Sequence, residues 1–309
     1  MTITPAMIKE LREQTGAGFG DVKNALTEAE GNMEQAVVIL RKKGLAAAGK
    51  KAGRVTAEGT IAARVDGSVG VIVEVNCETD FVGRNEVFQK FAADVANAIA
   101  QSRATSVEEF LAENWPGTSE PVSQKVAEQI ASIKENISIR RFARYEAPET
   151  AKIGTYIHAG GKIGVMVEVL ARSGNTGSHL DEVAKDIAMH VAAINPAFIS
   201  SADVPADEVA RERAVFVEQA KSDPKTAGKT QEIVAKIIEG KVRKWLGEIT
   251  LLGQPFVKDD KQTVEQYLKN AGGEVAAIVR YEVGAGIEKK QEDFAAEVAK
   301  QVESAKSKH

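Results

Sequence analysis

"GTIAARVDGSVGVIVEV" (Gly59–Val75) and "GTYIHAGGKIGVMVEV" (Gly154–Val169) are two copies of one pattern, once a single residue is dropped at the turn. Gly70 then corresponds to Gly164, an offset of 94 residues (164 − 70). Alternation and short apolar runs on either side of a polar, Gly-containing turn predict a β-hairpin in each copy. A similar helical stretch follows each one: "FAADVANAIA" (Phe91–Ala100) and "VAKDIAMHVA" (Val183–Ala192), in which Asp94 matches Asp186 and Val95 matches Ile187. Duplication of a strand–strand–helix unit is the simplest account. One helix covers only one face of a hairpin, so further strands are needed, and the expected fold class is α+β: small antiparallel sheets backed by helices.

Upstream of the first hairpin the spacing is helical. Pro5 suits a first helical turn, Met7, Ile8 and Leu11 follow at helical spacing, and "TGAG" (Thr15–Gly18) supplies a stop. A second helix carries Val22 and Leu26, with Asp21 as its expected N-cap. A third begins near Asn32, carries Met33, Val37 and Leu40, and is expected to end at Gly44. Three short amphipathic helices can bury one small core. "AAAGKKAG" (Ala46–Gly53) has no large apolar side chain and reads as a basic linker with some helical character.

Between the hairpins, Val126, Ile130, Ile133 and Ile137 recur at helical spacing before a strand-like "SIRRFARYEA". Two polar helical stretches, about 206–220 and 230–246, flank "KSDPKTAGK" and predict a projecting helical hairpin. "GEITLLGQPFVKDD" and "EVAAIVRYEVGAGIE" look like further strands, and Phe294, Val298 and Val302 form the stripe of a terminal helix.

Composition bounds the function. The 309 residues have room for two packed cores, 43% are hydrophobic and 27% charged, and no run of 18 apolar residues offers a membrane span. The opening "MTITPAMIKELREQ" shows no signal peptide, and Cys77 is the sole cysteine, so an intramolecular disulfide is excluded and a cytoplasmic, reducing location is expected. A net charge of −4 argues against nucleic acid as the main partner. The glycines of "GAGFG" (Gly16–Gly20) follow a helix instead of a strand, which is wrong for a dinucleotide fingerprint. "AGKT" (Ala227–Thr230) resembles a phosphate loop, but Asp223 stands where that loop wants glycine. His158, His179, His190 and His309 lack metal-ligand spacing; His190, three residues after Ile187, reads as a core histidine, and Cys77 at a strand end reads as a buried, inert thiol. No catalytic constellation, metal site or cofactor is expected.

One stretch is out of keeping with this bland surface. "ETDFVGRN" (Glu78–Asn85) joins a buried strand to a helix and sets Phe81 directly after Asp80. Turns are normally wet. The ring either folds back onto its own core or is kept for a partner.

At "VNCETDFVGRNEVFQKFA" the sequence resembles the elongation factor Ts family, guanine-nucleotide exchange factors of elongation factor Tu. "IKELREQTGAGFGDVKNAL", "IAMHVAA", "LLGQPFV" and "YEVGAGIE" carry the likeness through nearly the whole chain, in order. The resemblance implies a ubiquitin-associated-like three-helix domain (1–54), a core N-subdomain (55–145), a core C-subdomain (146–205 and 247–286), an inserted coiled-coil hairpin (206–246) and a C-terminal helical module (287–309). It implies a protein that is no enzyme. It binds elongation factor Tu in its GDP-bound and nucleotide-free forms, with no direct nucleic-acid or membrane contact, either singly or as a dimer or two-by-two complex.

The resemblance also assigns contacts. The turn Thr79, Asp80, Phe81 and Val82 enters the GTPase domain of the partner, where the ring wedges between two helices and disturbs the magnesium site. Arg12, Phe19 and Lys23 grip a helix of the partner. Ile133, His158 and Val257 match further contact positions. This chain departs from the family at Lys134, where glycine is common, which leaves close backbone approach there open. Two other classes stay in view: an enzyme with a site assembled from scattered residues, and a binding module acting through residues 1–53 alone.

Overall fold

The computed structural model describes residues 3–172, 179–226 and 228–288. The expected terminal helix, with Phe294, Val298 and Val302, lies outside the described residues, as does Ala227 of "AGKT". The chain opens with helices α1 (Pro5–Thr15), α2 (Phe19–Glu28) and α3 (Met33–Lys51). Leu11, Val22 and Leu26 are fully buried between them. Each such side chain contributes about 1.5–3 kcal/mol, which lets so small a unit hold together.

Four sequence expectations change here. Gly44 does not stop the third helix, which runs on to Lys51 through most of the expected linker. The glycine is buried where α3 crosses α7 (Val122–Ile133), and an added methyl group would touch Ala131 Cβ at 3.6 Å and Ala127 O at 3.7 Å. Its smallness serves close helix packing and not a break. Asp21 is not an N-cap: Gly18 takes that position without a side-chain bond, and Asp21 lies inside the first turn. Ile137 belongs to a strand, because α7 stops at Lys134 in the left-handed conformation, φ 69°. Gly247–Ile249 continue the helix that starts at Gln231 and a 3-10 turn follows at Leu251–Gly253, so only the later part of "GEITLLGQPFVKDD" is strand, at Pro255–Phe256 and from Asp259.

The duplicated unit is visible as two three-stranded antiparallel sheets. The first contains β1 (Glu58–Asp66), β2 (Val69–Cys77) and β3 (Ile137–Glu146), with β2 central. The second contains β4 (Ala151–His158), β5 (Ile163–Ala171) and β8 (Gly273–Glu282), with β5 central. Between the first hairpin and its long helix α5 (Glu86–Gln101) lies the short α4 (Asp80–Gly83); α6 (Val107–Ala112) precedes α7. Helix α8 (Leu180–Ile194) backs the second hairpin. Helices α9 (Ala206–Ser222) and α10 (Gln231–Ile249) pair through Val209, Phe216, Val217, Val234, Ile238 and Val242. A β6 (Pro255–Phe256) and β7 (Asp259–Thr263) hairpin and α11 (Val264–Asn270) lead into β8. None of the described helices is long and apolar enough to cross a membrane.

Alternate residues of each central strand face opposite ways. Val71, Val73 and Val75 meet α5, while Val165, Val167 and Val169 meet α8. Ile72 and Met166 turn to the other face and join Ile61 and Ile153 in a core between the sheets. The arrangement is therefore four layers deep: helix, sheet, sheet, helix. The two matching glycines sit in the middle. A methyl group at Gly70 would stand 2.5 Å from Ile153 Cγ2 and 2.9 Å from Met166 Sδ, and one at Gly164 would run into Ile61 and Ile72. Gly70 against Met166 mirrors Gly164 against Ile72, a contact that duplication alone would produce.

The outer strands β3 and β8 each carry a bulge at the same place, Arg140 opposite Glu74/Val75 and Ala276 opposite Glu168/Val169, and the facing carboxylates are again 94 residues apart (168 − 74). In the first sheet the bulge brings consecutive residues of β3 to one carboxylate. Arg140 reaches Glu74 Oε1 at 3.0 Å and Arg141 reaches Oε2 at 2.6 Å. The Gly284 N–H adds a bond at 2.8 Å and the Asn76 amide one at 3.1 Å. Burial pushes the Glu74 carboxyl up, but these donors outweigh it and hold it below the usual carboxylate range.

Gly70→Ala or Gly164→Ala should lower unfolding free energy by about 1–3 kcal/mol through overpacking, with far-UV circular dichroism unchanged. Gly49→Ala, in α3 with open space around it, should be neutral or stabilising by up to about 1 kcal/mol. Denaturation in urea checks all three, and equal midpoints for the sheet variants and the parent would contradict the packing described.

Candidate partner interface

The β2 strand ends in Cys77, whose thiol is buried and donates to Thr79 O at 3.1 Å. Burial, reinforced by the Glu135 charge, pushes this thiol up to about 12, so it stays protonated and inert at neutral pH. The chain then turns sharply into α4. Thr79 is the N-cap, its hydroxyl oxygen accepting from Val82 N at 3.4 Å. Val82 packs onto the first core and Gly83 lies against the backbone of Gly59 at the start of β1. An Asp80–Arg84 ion pair at 3.2 Å closes the outer side. With both neighbours committed, Phe81 points the other way and is 82% exposed. Val87, at the start of α5, is also exposed, at 57%. Of the two fates open to the ring, burial in its own core is excluded.

The remaining candidates divide into groups. His158 ends β4, stacks on Tyr156 with ring centres 5.9 Å apart, and shares a hydrogen bond between its Nδ1 and the Tyr156 hydroxyl, 3.1 Å. Its hairpin is tied to the same end of β1 as the Phe81 turn, since Gly161 packs on Thr60 and Lys162 bonds Glu58 at 2.7 Å. Ile133 is half-buried against the first core at the end of α7. The next residue, Lys134, occupies the left-handed cap that glycine adopts without strain, which gives a physical reason for glycine there. Its amine pairs with Asp21 at 2.8 Å, and Ser132 Oγ donates to Gly16 O at 2.9 Å, so the α1–α2 turn is joined to α7. Phe19 opens α2 at 57% exposure, with Lys23 one turn on along the same face; Arg12 is exposed near the end of α1.

Val257 stands apart, 45% exposed between β6 and β7 and so not buried in its own sheet. Its N–H donates to His190 Nδ1 at 3.2 Å. With Nδ1 accepting, Nε2 carries the proton and donates to Gln254 Oε1 at 2.9 Å, which fixes the tautomer of this fully buried ring. Asp186, one turn earlier in α8, holds Lys258 at 2.5 Å and the Tyr267 hydroxyl at 3.0 Å. His190 is thus the satisfied core histidine the sequence suggested, and it anchors the Val257 turn.

Sequence reasoning passed over Glu135. Its carboxylate sits over the start of the Phe81 turn, yet neighbouring Lys134 drew attention only as a departure from a family pattern. Val87 was missed because its position in a helical stripe looked ordinary.

The family model described as Elongation factor TS matches residues 78–285, a segment that begins at the Phe81 turn and ends just after β8. A curated protein, elongation factor Ts of Methylococcus capsulatus (strain ATCC 33009 / NCIMB 11132 / Bath), is 49% identical over 305 residues, covering 98% of this chain and 99% of that protein. The chain belongs to the elongation factor Ts family. It is a translation elongation factor of the exchange-factor kind, and so a component of protein biosynthesis. The matched segment contains the third strand of the first sheet, the whole second sheet, the helical pair and the exposed ring of this elongation factor Ts family member, whereas β1, β2 and Arg12, Phe19 and Lys23 precede it.

Burial pushes the His190 imidazole below its ordinary value, with the Gln254 bond opposing. A folded-state value below the unfolded one, about 6.5, favours the neutral ring; the resulting stability is present above that pH and is lost as pH falls toward the folded-state value. The urea midpoint should therefore be flat from about pH 8 to 6.5 and decline toward pH 5, and His190→Gln should flatten that limb. A parent profile that stays level down to pH 5 would contradict the assignment.

Proposed function

We propose that this chain binds elongation factor Tu carrying GDP and accelerates release of the nucleotide by inserting Phe81 into the GTPase domain. The observation that carries this is the 82% exposure of a ring whose turn is anchored on both sides. An aromatic side chain has two rotatable bonds, so little entropy is lost when it is buried in a partner.

On this account the ring parts two helices beside the nucleotide and disturbs the elements that hold magnesium. The ion demands near-octahedral oxygen ligands at short distance, so a shift of about an ångström weakens its hold and that of the β-phosphate. Linkage then requires the converse: nucleotide must loosen the exchange factor, which lets GTP displace it. No bond is made or broken by this chain, which acts as an exchange factor and not as an enzyme.

The other contacts are part of the same proposal. Thr79, Asp80 and Val82 flank the ring, and His158 approaches from the neighbouring hairpin. Arg12, Phe19 and Lys23 grip a helix of the partner from the three-helix unit, taken as a domain ending near residue 54. Ile133 and Val257 add apolar contacts, Ile133 with only its outer edge free because the rest packs inward. The helical pair 206–246 is taken as an insertion between the parts of the second half.

Release of fluorescent GDP from elongation factor Tu tests the wedge. Burying a phenyl ring is worth about 1.5–3 kcal/mol, so Phe81→Ala should slow stimulated release by roughly tenfold to a hundredfold, with unchanged circular dichroism. An unaltered rate in a folded variant would reject the role.

A further inference from the structure

A helix of four residues does not hold itself, since nucleation costs more than its few bonds return. What holds α4 comes from elsewhere in the chain. The Glu135 Oε2 accepts the backbone N–H groups of Glu78 and Thr79 at 3.0 and 2.9 Å, and Oε1 accepts the Thr79 hydroxyl at 2.6 Å. That hydroxyl in turn accepts Val82 N–H at 3.4 Å. The chain of bonds from Glu135 through Thr79 to Val82 therefore brackets Phe81 on both sides. Bonds to a charged acceptor are roughly twice as strong as neutral ones, and this acceptor binds three donors at once.

The bracing is reciprocal. The Glu78 carboxylate accepts Asn136 N–H at 2.6 Å and pairs with Arg54 at 3.3 Å, while the Asn136 amide donates to Arg54 O at 2.9 Å. The segments 78–79 and 135–136, both joined to strand ends, are thus stitched by side chains going each way. Rigid support matters most for a group that must arrive at a partner in one orientation.

We propose that Glu135 is a positioning residue for nucleotide exchange: its carboxylate fixes the direction in which the Phe81 ring projects from the turn. This rests on the wedge reading above. It differs from that reading in assigning part of the rate to a residue that need not touch the partner. With Glu135 removed the ring is still present and exposed, but its turn samples other directions.

The test is a double-mutant cycle on full-length chains, reading stimulated release of fluorescent GDP from elongation factor Tu, with melting temperatures taken alongside. Glu135→Ala should slow release about tenfold or more, Glu135→Gln by less because its amide oxygen still accepts one of the donors, and Glu135→Ala with Phe81→Ala no more than about twofold beyond Phe81→Ala alone. A residue acting only on general stability would not show that loss of additivity. If Glu135→Ala does not fold, Glu135→Gln takes its place in the cycle. A Glu135 variant within twofold of the parent, or a double variant slowed by the product of the single effects, overturns the proposal while leaving the wedge intact. An unchanged rate for Phe81→Ala removes the wedge, and the proposal with it.

Discussion

Two glycines let the sheets close. With Gly70 against Met166 and Gly164 against Ile72, the central strands approach across the inter-sheet core more nearly than any side-chain-bearing residue would allow. That closeness sets the position of the β1 start, where Gly59 receives the backbone of Gly83 from one side and Thr60 receives Gly161 from the other. The Phe81 turn and the His158 hairpin, one from each half of the repeat, are consequently seated on a single strand end. A looser contact between the halves would leave their spacing undetermined.

The exposed ring is best understood against that rigidity. An isolated surface phenylalanine needs no explanation, and many are tolerated. Here the adjoining Val82 is packed inward, the N-cap hydroxyl is bonded on both sides, and a distant carboxylate closes the turn, so the outward direction of Phe81 is specified by structure. The α7–β3 junction does this while its neighbours Ser132 and Lys134 hold the α1–α2 turn. Ser132, Lys134 and Glu135 therefore join the two surfaces proposed to meet the partner.

Much of this was legible in the sequence, and what was not has identifiable causes. The hairpins, their helices and the helical pair declared themselves through period and repetition. Gly44 misled because glycine marks helix ends and close helix crossings equally well, and only the presence of Ala127 and Ala131 across the contact separates the two. Ile137 fitted helical spacing until Lys134 adopted a left-handed cap. Glu74 sits in an apolar run that gives no hint of the bulge bringing Arg140 and Arg141 to it from 66 and 67 residues away. Glu135 escaped for the same reason, since its donors lie 56 and 57 residues upstream. At Phe81 the sequence posed the alternatives, and the inward packing of the Val82 side chain and the Gly83 backbone decided between them.

The Phe81 ring stands in water in the free chain, and the proposed wedge requires that the partner bury it. Replacing Phe81 with tryptophan and subtracting the emission of the parent, which contains Trp115 and Trp245, measures that directly. The difference spectrum should be that of a solvent-exposed indole in the free chain, shift to the blue on adding GDP-bound elongation factor Tu, and revert with excess nucleotide. A blue-shifted signal in the free chain, or none of these changes on complex formation, would contradict the account.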